Sequence, residues 1–159
     1  MTPRSKLRQA AGLAGWVVLT FLAPLCGALT PPGDWYAGLE KPAWNPPGWV
    51  FGPVWTALYL MMATAAWLVW RRGGWAAQQR PLALYLVQIA LNAAWTPLFF
   101  GAHAIGLALV EILALWIAIL LTLLAFDRVS RPAAALLLPY WLWVGFASWL
   151  NFTLWRLNS

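Results

Sequence analysis

The chain is poor in charge and has one cysteine and one histidine, and each scarcity removes a class of function. Charged residues make up 9% of its 159 residues, against about 25% in a soluble domain. So few charges cannot cover a water-facing surface, and lipid is the solvent that suits the composition. Cys26 alone closes no intramolecular disulfide, and with His103 as the only histidine no Cys/His cluster can form around a metal. The sequence has no Gly-rich phosphate loop and no Ser/His/Asp or Cys/His set, which speaks against phosphoryl transfer and hydrolysis. Cys26 lies inside the first apolar run and is expected to be a small packing residue.

What is present is apolar surface: 63% of the residues are hydrophobic. It falls into five runs, Ala10–Leu29, Trp49–Trp70, Pro81–Phe100, Ala104–Phe126 and Pro132–Trp155. About 20 residues of helix cross a hydrocarbon core of about 30 Å, and each run reaches that length. Helices close their backbone hydrogen bonds within the segment, so lipid favours them; the short alternating strands of a β-barrel are not there. The expected fold is all-α, a single domain of five transmembrane helices spanning residues 1–159. The first run is too long for a signal-peptide core and contains Pro24, so it is read as a retained helix.

The net charge of +6 is a topology signal rather than a nucleic-acid footprint, because the basic residues sit in short gaps between apolar runs. Arg4, Lys6, Arg8, Arg71, Arg72, Arg80, Arg128 and Arg131 with Asp127 fall on one side of the membrane, and Asp34, Glu40, Lys41 and Arg156 on the other. This asymmetry predicts an N-terminus inside and a C-terminus outside in a bacterial cell membrane; an outer-membrane or organelle location would change those names.

Three features carry functional information. The longest gap, Thr30–Gly48, holds five of the twelve prolines together with Trp35, Tyr36 and Trp44. It reads either as a stiff connector or as a lid over a cavity between the helices. In the third run Gln88, Asn92, Trp95 and Phe99 share one helical face, and in the fifth Tyr140, Trp143, Ala147 and Asn151 do the same. Faces that mix amides and aromatic rings could line a pocket for a flat, mainly apolar molecule with a few polar edges, or could simply bond helix to helix. Glu111 is the one ionisable side chain well inside a span; it is expected to be paired, protonated or near water, most simply through a structural hydrogen bond. Trp49, Trp70, Trp75 and Trp155, near span ends, fit an interfacial aromatic belt. Ala83, Ala90 and Ala94 with Ala93 nearby offer small surfaces for self-association on the third helix.

The stretch WYAGLEKPAWNPPGWVFGPVWTALY at Trp35–Tyr59 closely resembles the signature of the TspO/MBR family, the translocator proteins once called peripheral benzodiazepine receptors. QIALNAAWTPLFFGA at Gln88–Ala102 and PYWLWVGFASWLNFTLWR at Pro139–Arg156 extend the resemblance over nearly the whole chain. It implies a five-helix bundle with the long first loop, 30–48, as lid. It implies a ligand, not a required cofactor: protoporphyrin IX or haem, sterols in animal members, or synthetic isoquinoline carboxamide and benzodiazepine drugs. The pocket positions it implies are Trp44, Asn45, Trp49, Trp55, Asn92, Trp95, Tyr140, Trp143 and Ala147, with Ala23, Leu107 and Leu115 beside them. It also implies a homodimer and, for bacterial members, breakdown of protoporphyrin in light, with Trp55 and Trp143 at the implicated tryptophans. Leu150, Phe152 and Arg156 stand where animal members carry the sterol motif, but Phe152 replaces its tyrosine, so the chain resembles a bacterial member. Many animal members also have histidine where Asn45 stands. Tetrapyrrole binding in sensing, delivery or stress regulation is thus the expected function; porphyrin degradation and porphyrin or sterol transport are the alternatives.

Overall fold

Each apolar run forms a helix, and at two of them a serine sets where the helix starts. The computed structural model describes residues 5–159; Arg4, counted above with the basic N-terminal group, lies outside them. Helix α1 spans Lys6–Ala28, starting ahead of the apolar run because the Ser5 hydroxyl accepts the Arg8 N–H at 3.3 Å. A short α2 (Asp34–Ala37) follows, then α3 (Gly48–Trp70), a short α4 (Gly74–Ala77), α5 (Gln79–Thr96), α6 (Ile105–Asp127) and α7 (Arg131–Leu157). Helix α7 is capped by the Ser130 hydroxyl, which accepts the Ala133 N–H at 3.4 Å. Including a wider turn that extends α5 to Gly101, five helices among the described residues are long and apolar enough to cross a bilayer, as the sequence predicts.

The long helices close into a ring. α1 packs on α3 and α5, α3 on α7, α7 on α6, and α6 on α5. Fully buried Ala63, Ala65 and Ala66 let α3 come close to its neighbours. Between α6 and α7 two indoles sit over glycines: a Cβ on Gly106 would lie 3.1 Å from Trp155 Nε1, and one on Gly145 3.2 Å from Trp116 Nε1. Only Thr20 and Ala23 of α1 are buried, so this helix is the least embedded. Cys26 is exposed on it, which corrects the expectation of a packing role: its face of α1 has no protein neighbour to pack against.

At Pro97 helix α5 widens into a π turn through Gly101, closed by the Ala102 N–H donating to Pro97 O at 2.8 Å. His103 then adopts φ 55°, a left-handed conformation that histidine tolerates better than most side chains. Its ring stacks on Trp35 of the long loop, centroids 4.1 Å apart. The loop is fastened at a second point. Asn158 Oδ1 accepts from Glu40 N and its Nδ2 donates to Glu40 O, both at 2.9 Å. Lys41 Nζ completes the fold by donating to Tyr36 O at 2.7 Å. Asn158→Ala removes both bonds that fasten the loop, so hydrogen exchange across residues 34–47 is expected to speed up while α6 and α7 keep their protection.

Candidate functional site

Beneath the fastened loop the ring encloses a cavity of about 630 Å³, within the range of roughly 300–1,000 Å³ usual for small-molecule sites. The helical period assembles its wall. On α3, Phe51, Trp55 and Tyr59 recur every fourth residue and all face it. On α5, Asn92, Trp95 and Thr96 face it, and the π turn brings both Phe99 and Phe100 onto the wall. Ile112 and Leu115 come from α6, while Trp143, Val144, Ala147, Leu150, Asn151 and Leu154 come from α7. Pro24 and Gly27 close the α1 side, and Pro32, Tyr36, Asn45 and Pro46 form the roof. Among the described residues, those in the wall are all uncharged.

Two hydrogen-bonded groups hold the wall rigid. At one end Tyr59 OH donates to Asn92 Oδ1 at 2.7 Å, Asn92 Nδ2 to Tyr140 OH at 2.9 Å, and Tyr140 OH to Gln88 Oε1 at 2.7 Å. Both amides of the α5 stripe are therefore tied to other helices. At the other end Trp95 Nε1 donates to Asn151 Oδ1 at 2.9 Å, and Asn151 Nδ2 to Ile105 O at 3.0 Å. The Trp95 ring also stacks on Phe99 at 4.9 Å, so its orientation is fixed by an edge bond and a face contact together.

Gln88 Nε2, behind the wall, is left without a partner in the first group, and in the wall itself two atoms stand out. Asn45 Oδ1, in the roof, and Trp143 Nε1, on α7, are buried and have no hydrogen-bond partner. A buried polar atom without a partner costs about 1–3 kcal/mol, and a bound molecule that meets both recovers it. The cavity is thus suited to a flat apolar body held between rings, with polar edges directed at Asn45 and Trp143.

Of the positions the resemblance implies, Asn45, Trp55, Asn92, Trp95, Leu115, Trp143 and Ala147 meet in this wall. Five do not. Trp49 and Leu107 are 77% and 57% exposed, on outward faces of α3 and α6. Trp44 is also largely exposed and lies edge-on to Phe146 at 5.9 Å. Ala23 is buried in packing, and Tyr140 lies fully buried behind Asn92 as part of the hydrogen-bonded group. Glu111, one residue from the wall, makes no hydrogen bond: both carboxylate oxygens are buried without a partner, which corrects the expectation of a structural bond. Of the α3 stripe the sequence reading singles out Trp55 but not Phe51 or Tyr59, although aromatic residues at 51, 55 and 59 repeat with helical spacing.

The chain matches the model of the TspO/MBR family over residues 13–156. It is 49% identical over 130 residues to the tryptophan-rich protein TspO of Chlorobaculum tepidum, covering 80% of this chain and 82% of that one. To the human translocator protein it is 48% identical over 126 residues, 78% of this chain and 75% of the other. A tryptophan-rich sensory protein of Cereibacter sphaeroides shares 41% identity over 145 residues, 88% of this chain and 90% of its own. Five apolar helices in a closed ring and a match along almost the full length lead to one conclusion: the chain is a multi-pass membrane protein that belongs to the TspO/MBR family.

Proposed function

We propose that the chain is a membrane tetrapyrrole-binding protein, with protoporphyrin IX or haem as ligand, acting in porphyrin sensing, delivery or stress regulation. The observation that carries this reading is the pairing of an uncharged aromatic wall with two unsatisfied polar atoms, Asn45 Oδ1 and Trp143 Nε1. A macrocycle stacks on the rings of Trp55, Trp95 and Trp143. A carboxylate at its edge accepts the Trp143 N–H, and a ligand donor, a pyrrole N–H or a protonated carboxyl, donates to Asn45 Oδ1. A sensory role is supported by the Cereibacter sphaeroides relative, a tryptophan-rich sensory protein. Titrating the purified protein with protoporphyrin IX and following its absorbance tests the reading. A saturable red-shifted band at equimolar ligand is expected; a linear, unsaturable signal equal to that of empty detergent micelles overturns it.

A second reading is favoured by the placement of Trp55 and Trp143 in the same wall. Both indoles would touch a bound porphyrin, and an excited porphyrin can take an electron from indole, with molecular oxygen as terminal oxidant. Illumination with and without oxygen, in wild type and in Trp55→Phe and Trp143→Phe, separates this from plain bleaching. Identical products in every case remove the enzymatic reading.

A further inference from the structure

A second hollow of about 390 Å³ lies at the seam between α1 and α3, where Leu25 and Thr56 are exposed. Four residues, Pro24, Gly52, Trp55 and Tyr59, are common to the linings of this hollow and the central cavity. A Cβ on Gly52 would meet nothing within 4 Å, so two aromatic rings and a proline do most of the closing.

The chemistry of the outer hollow suits a solute dissolved in hydrocarbon. Its hydroxyl protons are already committed: Thr56 Oγ1 donates to Gly52 O at 2.8 Å, and Tyr59 OH donates to Asn92 Oδ1 at 2.7 Å. Beyond these, the lining's one side-chain donor is the Trp55 indole N–H, so water or an ion would find few partners there.

The seam is also built to part at this end. Trp67 Nε1 donates to Gln9 O at 2.9 Å and ties α1 to α3 near its start. The Thr20 and Tyr85 hydroxyls, 2.6 Å apart, tie the middle of α1 to α5. Among the described residues, no hydrogen bond joins α1 to α3 beyond Thr20. Each helix lacks one rung of its ladder there, at Pro24 and Pro53. The loop over the cavity is held instead by the Glu40–Asn158 bonds and the Trp35–His103 stack.

We infer that the α1–α3 seam is a lateral entrance, through which a flat apolar ligand dissolved in the bilayer reaches the cavity as Trp55 swings out of the partition. The identity of that ligand rests on the reading of the cavity given above; the route rests on the two hollows and their common wall.

The test uses a lipid-dissolved aryl diazirine, photolysed in vesicles, with labelling read by mass spectrometry at Trp143 and Ala147 and normalised to outward-facing Leu142 and Trp149. It needs no porphyrin, so failure of porphyrin binding and failure of the route are distinguishable. In a Cys26→Ala background, Leu25→Cys and Thr56→Cys are tied by a reducible bis-methanethiosulfonate. Glu40→Cys and Asn158→Cys are tied the same way in a second protein. The seam tie is expected to lower cavity labelling severalfold, with recovery on reduction, and the loop tie to leave it unchanged. Cavity labelling that survives the seam tie, or that is lost with the loop tie, overturns the proposal. Labelling of Leu25 and Thr56 in the untied protein with Trp143 and Ala147 unmarked also overturns it, and makes the groove a seat for an acyl chain.

Discussion

Trp143→Ala is expected to weaken protoporphyrin IX binding by about 30-fold, the equivalent of about 2 kcal/mol. The variant removes two contributions at once. One is a broad ring in the wall, held at a tilt against Phe146 at 5.5 Å and edge-on to Phe51 at 6.1 Å. The other is the buried N–H that has no partner within the protein. Trp143→Phe separates them: it keeps an aromatic face and loses the donor, so a loss of about 1 kcal/mol, roughly fivefold, is expected. Trp149→Ala is the control, because that indole is 60% exposed on the same helix. Absorbance titration is the suitable readout, since removing a tryptophan alters the intrinsic fluorescence. Equal affinities for Trp143→Ala and Trp149→Ala would mean that the ligand does not sit against α7.

The second large effect is on stability. Asn92→Ala is expected to destabilise the bundle by about 1–3 kcal/mol. Asn92 accepts from Tyr59 on α3 and donates to Tyr140 on α7, so one side chain joins three helices. Its loss strands the Tyr59 hydroxyl in an environment with no water to replace the acceptor. Hydrogen bonds between membrane helices average only about 0.6 kcal/mol in coupling, so the cost comes from the stranded group more than from the bonds themselves. Tyr59→Phe combined with Asn92→Ala should therefore cost less than the sum of the two single changes. Unfolding in mixed micelles measures all three. Strict additivity would show that the two side chains act independently.

The apolar runs made the number of spans and their approximate limits legible, because lipid leaves the backbone few alternatives to a helix. What they could not show is where polar chemistry extends or alters a helix. Ser5 starts α1 before its apolar run, and Pro97 widens the end of α5. Periodicity placed Asn92, Trp95 and Phe99 on one face, and that face is interior. It could not separate a side chain that meets the cavity from one that meets another helix. Asn92 and Trp95 do both, Gln88 is committed to Tyr140, and Tyr140 sits wholly behind the wall. Of the pocket positions drawn from resemblance, Trp49 and Leu107 lie on outward faces. A residue's helix follows from its sequence run, but its azimuth near a helix edge depends on how neighbours pack.

The indoles of Trp116 and Trp155, seated on Gly145 and Gly106, leave no slack between α6 and α7. An added methyl at either glycine would press on a ring at 3.1–3.2 Å and push it aside slightly. Those two helices thus form the stiff side of the bundle, an anvil, and breathing on ligand binding is expected to fall across the bundle on α1, the least embedded helix. A spectroscopic label on α1 should register loading and unloading, whereas one on the clasped pair should stay silent.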